Sequence, residues 1–363
     1  MAIPSSEKVY LPSSKAIRKG VQWFLLFTVM GVIAALWWKS SANLGIIIRN
    51  LDKSYLLPLL PLLGIDYLLG GLRMRLFFDG KVLPKISLWD NMRGNWANIF
   101  MGAVTPFQTG GGPAQLYILW RCGAKISEST LITIINFAAT LIFFQAASIA
   151  ALLMLPPGIF GHNLIYAIKI AFAMVGTLTG GLLLIMLFPE IGMAVIQGFV
   201  WLIPSRLTKA HTLGQRMLNA LKTGSEHFGA AFRQILRRKK RALLATVIAT
   251  LALFFNKYLM GYVIALALQQ DAPFQTFIGL QILHFFLIYF APTPGASGIA
   301  EVSSVWLMEK VMSSEVLIIY AVAWRFFSTY LGAIIGGVVL LFETRALAKP
   351  TLAPATQKNI AKK

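Results

Sequence analysis

The sequence predicts an all-α polytopic membrane protein, and three observations carry that prediction. Hydrophobic residues make up 57% of the 363-residue chain and charged residues 13%, about half the charged share of an ordinary soluble domain. Apolar runs recur at lengths near the ~20 residues that a helix needs to cross a bilayer. No run alternates with period two, as the strands of a membrane barrel would. With so few polar side chains to clothe an exterior, a soluble enzyme, a nucleic-acid-binding domain and a disordered chain are excluded.

Six segments are long enough to span: 21–38, 55–72, 129–155, 164–188, 242–268 and 316–342. The first is short for a span. The third carries no charge over its length, and at ~1.5 Å per residue it reaches about 40 Å, so it must tilt or protrude. Two further apolar stretches are interrupted, at 96–120 and 275–308. Each has an apolar arm, a Thr-Pro and glycine-rich centre, and a second arm. Proline removes a backbone donor and glycine admits positive φ, so both centres break a helix. Inside a bilayer such a break must be sheltered by protein or line a wet cavity. The expectation is two re-entrant or broken helical hairpins reaching toward the midplane.

Charge sets the expected topology. The net charge is +20. Twenty-six of the 33 Lys and Arg residues fall on one side if both termini are cytoplasmic and each broken segment returns to the side it entered. That asymmetry is the positive-inside pattern, and it places the chain as a multi-pass protein of the cytoplasmic (inner) cell membrane. The same excess suits contact with anionic lipid headgroups. The loop 205–241 carries ten of the basic residues, interleaved with Met217, Leu218, Leu221, Phe228, Phe232, Ile235 and Leu236. A helix lying on the cytoplasmic leaflet and a simple topology anchor both fit that pattern.

The order span, broken segment, span occurs twice at one offset. Thr105-Pro106 and Thr293-Pro294 are 188 residues apart, and the flanking spans are displaced by 187. The first unit starts from the cytoplasm and the second from outside, which is the inverted-topology arrangement of many transporters. The chain thus divides into a basic N-tail (1–20), a first membrane repeat (21–155), a second repeat (156–345) holding the basic loop, and a C-tail (346–363).

The broken centres read TPFQTGGGPAQ (105–115) and APTPGASGIAE (291–301). Aligned on Thr-Pro they share Thr105 with Thr293, Thr109 with Ser297, and Gly110 with Gly298. Two half-helix tips facing each other would present free backbone N–H groups to an anionic headgroup. Thr105, Gln108, Gly110, Gly111, Gln115, Thr293, Gly295, Ser297 and Gly298 are the candidates there. Close packing through small residues is the alternative. Glu301 and Arg325 lie in apolar surroundings and need partners; a phosphate-binding arginine and a structural Glu301–Arg325 pair are both open. Lys257 and Asp66 are mid-span charges that could line a path; snorkelling toward an interface is the alternative for Lys257 and a buried pair the alternative for Asp66. Asn98, Asn136, Gln115, Gln145 and His284 are read as interhelical hydrogen-bonding groups.

Other chemistry finds no support. Cys122 is the single cysteine, and the four histidines are scattered without ligand spacing, so no metal site is expected. No signal peptide, nucleotide-binding loop, dinucleotide fingerprint or Ser-His-Asp spacing is present, and no cofactor or nucleic acid is expected.

In TPFQTGGGPAQLYIL (105–119), PTPGASGIAE (292–301) and WRFFSTYLG (324–332) the chain resembles the transmembrane domain of lysylphosphatidylglycerol synthases, over roughly 20–345. The resemblance implies an integral membrane lipid translocase akin to the flippase half of multiple peptide resistance factor. Glu301, Gly295, Gly298 and Arg325 carry over. The charged residues that many members have in the first motif do not, since Gln115 stands there. About twenty polar residues follow the last span, so a soluble synthase domain is not expected on this polypeptide. The leading expectation is a flippase or scramblase for an anionic or aminoacylated phospholipid or a polyprenyl-phosphate-linked lipid. A membrane enzyme using Glu301 or Asp66 on a lipid-linked substrate is the second reading. A non-catalytic partner of a separate lipid synthase is the third. Homo-oligomerisation is left open.

Overall fold

Long apolar helices dominate the computed structural model, which describes residues 14–38, 44–156, 158–159, 162–187, 194, 232–289 and 291–348. Among these residues there is no strand. The helices are α1 (Ser14–Trp38), α2 (Leu44–Arg49), α3 (Leu56–Arg75), α4 (Leu88–Ala103), α5 (Gly111–Arg121), α6 (Ile126–Met154), α7 (His162–Leu187), α8 (Lys240–Ala267), α9 (Phe274–Tyr289), α10 (Ile299–Met308), α11 (Leu317–Arg325) and α12 (Leu331–Ala348). A π turn, Phe326–Tyr330, joins α11 to α12.

Among the described residues, five stretches are long and apolar enough to cross a membrane: Ile17–Ala34, Lys53–Arg75, Ile126–Leu153, Lys240–Ala267 and Leu317–Glu343. They correspond to five of the six expected spans. The sixth, 164–188, falls in α7, within which Val175–Leu184 is a shorter apolar stretch. Outward faces are apolar too. Leu25, Val29, Met30 and Ile33 of α1 and Leu244, Ile248 and Leu251 of α8 are exposed. Helices apolar on every side suit burial in lipid, where every backbone group is satisfied within the helix. The chain is thus a multi-pass helical membrane protein. Most of the basic loop 205–241 lies outside the described residues; its end is helical over 232–238, with Phe232 and Ile235 buried against Phe77, Phe78 and Ile86.

Local sequence explains where elements begin. Ser87 caps α4 by accepting from Asp90 N–H at 3.0 Å, and its own hydroxyl donates to the Asp90 carboxylate. Asp52 accepts from the Ser54 N–H and hydroxyl, and so closes the turn that leads into α3.

The two broken segments form two helical hairpins with matching tips. In the first, α4 and α5 pack together and are joined through a 3-10 turn at Pro106–Gln108. In the second, α9 and α10 pack together around a 3-10 turn at Pro294–Ala296. The backbone repeats at two successive positions of the turn, and then diverges at Gly110 (φ −74°) and Gly298 (φ 81°). Phe107 and Gly295 have φ of 51° and 57°, and Gln108 and Ala296 have φ of 56° and 58°. The tips touch each other.

Packing follows the same duplication. α3 packs on α8, its counterpart in the other half. α4 packs on α12 while α9, the counterpart of α4, packs on α6. Each hairpin therefore leans on the last long helix of the other half. α1 crosses the second tip closely: a Cβ on Gly31 would stand 2.5 Å from the Gly298 Cα. Glycine at position 31 permits that approach, and Gly298 is held by its positive φ of 81°.

Candidate functional site

Thr105 holds the first tip shut. Its hydroxyl donates to the Met101 carbonyl at 2.6 Å and accepts the Gly110 N–H at 2.8 Å. At the second tip Glu301 takes over this work. Its carboxylate accepts the Gly298 N–H at 2.6 Å, capping α10. The same carboxylate accepts from Tyr330 at 3.1 Å and pairs with Arg325 Nε at 3.2 Å. Arg325 also donates to the Gly295 carbonyl at 2.7 Å and to Thr329 at 3.3 Å. Glu301 and Arg325 are both almost completely buried. The pair thus ties the second tip to the π turn. A π turn displaces the helix register by one residue and is frequent at functional sites; here it brings Thr329 and Tyr330 back onto Arg325 and Glu301. Ser297, at the same tip, accepts from Thr28 of α1 at 3.0 Å.

Lys257 and Asp66 form a second pair. Lys257 Nζ of α8 lies 2.8 Å and 2.9 Å from the two carboxylate oxygens of Asp66 on α3. Beside it Asn256 donates to the Leu62 carbonyl at 2.9 Å. These contacts join the two halves of the chain at mid-helix.

Two polar cavities adjoin the tips. The larger, of about 470 Å³, is bounded by α3, α4, the first tip, α5 and α6, and Tyr289 closes one wall. Arg73, Asn95, Asn98, Gln108, Gln115 and Asn136 supply its polar groups. The smaller, of about 190 Å³, lies between the two tips and the π turn, with Lys257, Arg325, Ser328 and Thr329 on its wall. Asn98, Gln108 and Tyr289 line both, so they form the partition. Gly112 also lines the larger cavity, and a Cβ there would meet open space. An apolar groove of about 580 Å³ runs between α1 and α10, touching Thr293, Ser297 and Gly298.

Among the described residues, Arg73 is the one cation on the larger cavity's wall. It reaches from α3 to α6, donating to the Asn136 carbonyl at 2.6 Å and to the Thr140 hydroxyl at 2.8 Å. Among the described residues it forms no ion pair, and its Nε is buried without a partner. Asn98 donates to Gln115 across the hairpin at 3.1 Å.

The residues that carry these features lie within one continuous stretch of matched sequence. Residues 23–336 match the family model of the lysylphosphatidylglycerol synthase TM region. The chain belongs to this family. A UPF0104 membrane protein of Archaeoglobus fulgidus is similar to it, 24% identical over 283 residues, which is 75% of this chain and 81% of that relative. Both tips and every residue lining the two polar cavities of this lysylphosphatidylglycerol synthase TM protein fall inside the matched region.

The structure brings Arg325, Glu301, Gly295, Ser297 and Gly298 together at the second tip, and Gln108 and Gln115 into the larger cavity. Lys257 faces the smaller cavity, while Asp66 is turned to its lysine. Thr105, Gly110 and Gly111 shape the first tip rather than a cavity wall. Thr293 meets the apolar groove. Gln145 and His284 bond across helices, to the Phe172 and Ala300 carbonyls. Sequence reasoning missed Arg73 as a site residue. It sits beside Arg75 at a span's end and reads as a topology charge; its three-residue offset from Gly70, on the inward face of α3, was the available signal.

Among the described residues no cluster of three or more His, Cys, Asp or Glu could hold a metal ion.

Proposed function

We propose that this protein translocates phospholipid, passing the headgroup through the two adjoining cavities while the acyl chains stay in the membrane. One observation carries the reading: Arg73, Lys257 and Arg325 line two cavities that share a wall at the meeting point of the hairpin tips. A polar path between repeats suits a headgroup, because irregular backbone at membrane depth is tolerated where it lines a cavity. In this reading the hairpins are re-entrant, the halves have inverted topology, and both termini are cytoplasmic, as the basic residues argue. Arg73 meets the phosphate first. Arg325 and Glu301 hold the second tip in shape, and Lys257, paired with Asp66, sits further along the path. The apolar groove beside α1 accommodates an acyl chain.

The test is lipid movement in proteoliposomes carrying fluorescent phospholipid, followed by quenching of the outer leaflet. Protein-dependent loss of the protected fraction supports the reading. A protected fraction that stays at half in vesicles of several lipid compositions contradicts it.

A further inference from the structure

Among the described residues, the walls of the two cavities carry three cations and no carboxylate. Asp66 and Glu301 are engaged by Lys257 and Arg325, which neutralise each other locally. Arg73 is left as the uncompensated charge, facing a wall of amides. Five amide side chains line the larger cavity: Asn95, Asn98, Gln108, Gln115 and Asn136. Asn136 is nine-tenths buried, and its Oδ1 has no partner. An amide offers both donors and an acceptor, and so does each hydroxyl of a polyol. An amide cannot neutralise an ammonium group.

From this we infer that the larger cavity is a headgroup site for a phospholipid whose phosphodiester bears an uncharged, hydroxyl-bearing group such as glycerol, and that it selects against aminoacylated headgroups. The phosphate would take the Arg73 guanidinium on the cavity wall, since guanidinium–phosphate hydrogen bonds are the strong, charge-assisted kind. The hydroxyls would take the amides that line the cavity. An amino acid esterified to the same glycerol would bring an ammonium group into a cavity of like charge with no acid to receive it, which is a repulsive element against that headgroup. The inference rests on the lipid-translocation reading for its ligand class but concerns binding alone.

The experiment measures binding of phosphatidylglycerol, lysylphosphatidylglycerol and phosphatidylethanolamine to the purified protein in nanodiscs, by competition against one fluorescent phosphatidylglycerol. The expected result is a preference of about tenfold or more for phosphatidylglycerol over the lysyl form. Arg73→Gln should reduce phosphatidylglycerol binding by about tenfold. Asn136→Asp is isosteric and places a carboxylate in the cavity, and it should narrow or reverse the preference. Equal or tighter binding of the lysyl lipid by the unaltered protein overturns the inference, as does a preference that Asn136→Asp leaves unchanged. Deacylated glycerophosphoglycerol separates the lipid from a soluble source. It should compete weakly, and competition as strong as that of the intact lipid overturns the lipid assignment. Movement in proteoliposomes together with equal binding of the three lipids would sink this inference and leave translocation standing; a binding preference without movement would do the reverse.

Discussion

Glu301 and Arg325 lie 24 residues apart and meet at 3.2 Å in the interior, where the carboxylate also caps α10 through Gly298. One pair thus fixes three things at once: the start of a half-helix, the tip carbonyl of Gly295 and the π turn that follows Arg325.

Breaking this pair on one side should destabilise strongly. Arg325→Met leaves a buried carboxylate without its cation, which costs about 3–5 kcal/mol. Glu301→Gln keeps an acceptor for the Gly298 N–H. The double variant should therefore be more stable than Arg325→Met alone, by about 1 kcal/mol or more. Unfolding midpoints in detergent check the order.

The Lys257–Asp66 pair joins the two halves and should show positive coupling in a double-mutant cycle of Lys257→Met and Asp66→Asn. About 1–3 kcal/mol is expected for a directly contacting buried pair. Coupling near zero in unfolding experiments would mean that the pair does not hold α3 to α8.

The matched tips predict opposite responses at equivalent positions. Gly295 has φ 57°, and a Cβ there would stand 3.0 Å from Ala103 and Phe24 atoms. Gly295→Ala should lower the thermal midpoint. Phe107 adopts the same φ without being glycine and is largely exposed. Phe107→Gly should relieve about 1 kcal/mol of left-handed strain, partly offset by greater freedom in the unfolded chain. Its midpoint should hold or rise.

Much of this architecture is legible in sequence. The spans follow from apolar length, and Thr-Pro spacing locates both tips because proline and glycine interrupt helices by local chemistry. The positive φ at Phe107 and Gln108 is not legible, since neither residue type favours it. Lys257 and Asp66 each announce that a mid-span charge needs a partner. That they choose each other across 191 residues is a fact of packing. Arg73 is hidden for a different reason. A basic residue at a span's end satisfies the positive-inside pattern whether it faces water or turns inward to α6.

Outside the spans, Asp79 and Lys239 meet at 2.5 Å and pin the end of the basic loop to the connector after α3. Burial favours protonation of Asp79, but hydrogen bonds from Lys239 and the Lys81 N–H outweigh it and leave the carboxyl below its ordinary pKa of 3.8. A lowered carboxylate stabilises above its unfolded pKa, and that contribution is lost as pH falls through the folded value. The protection factors of the amides over 232–241, taken relative to the intrinsic exchange rate at each pH, should therefore fall below about pH 4, and Asp79→Asn should abolish that acid step.

The central claim is that cargo passes through the larger cavity, and Gly112 offers the most direct test. A side chain added there enters open space on the cavity wall, so Gly112→Phe should fold normally and plug the path. Lipid movement in proteoliposomes should fall by about tenfold or more, with an unchanged unfolding midpoint. Movement at the unaltered rate through a folded Gly112→Phe protein would contradict the account.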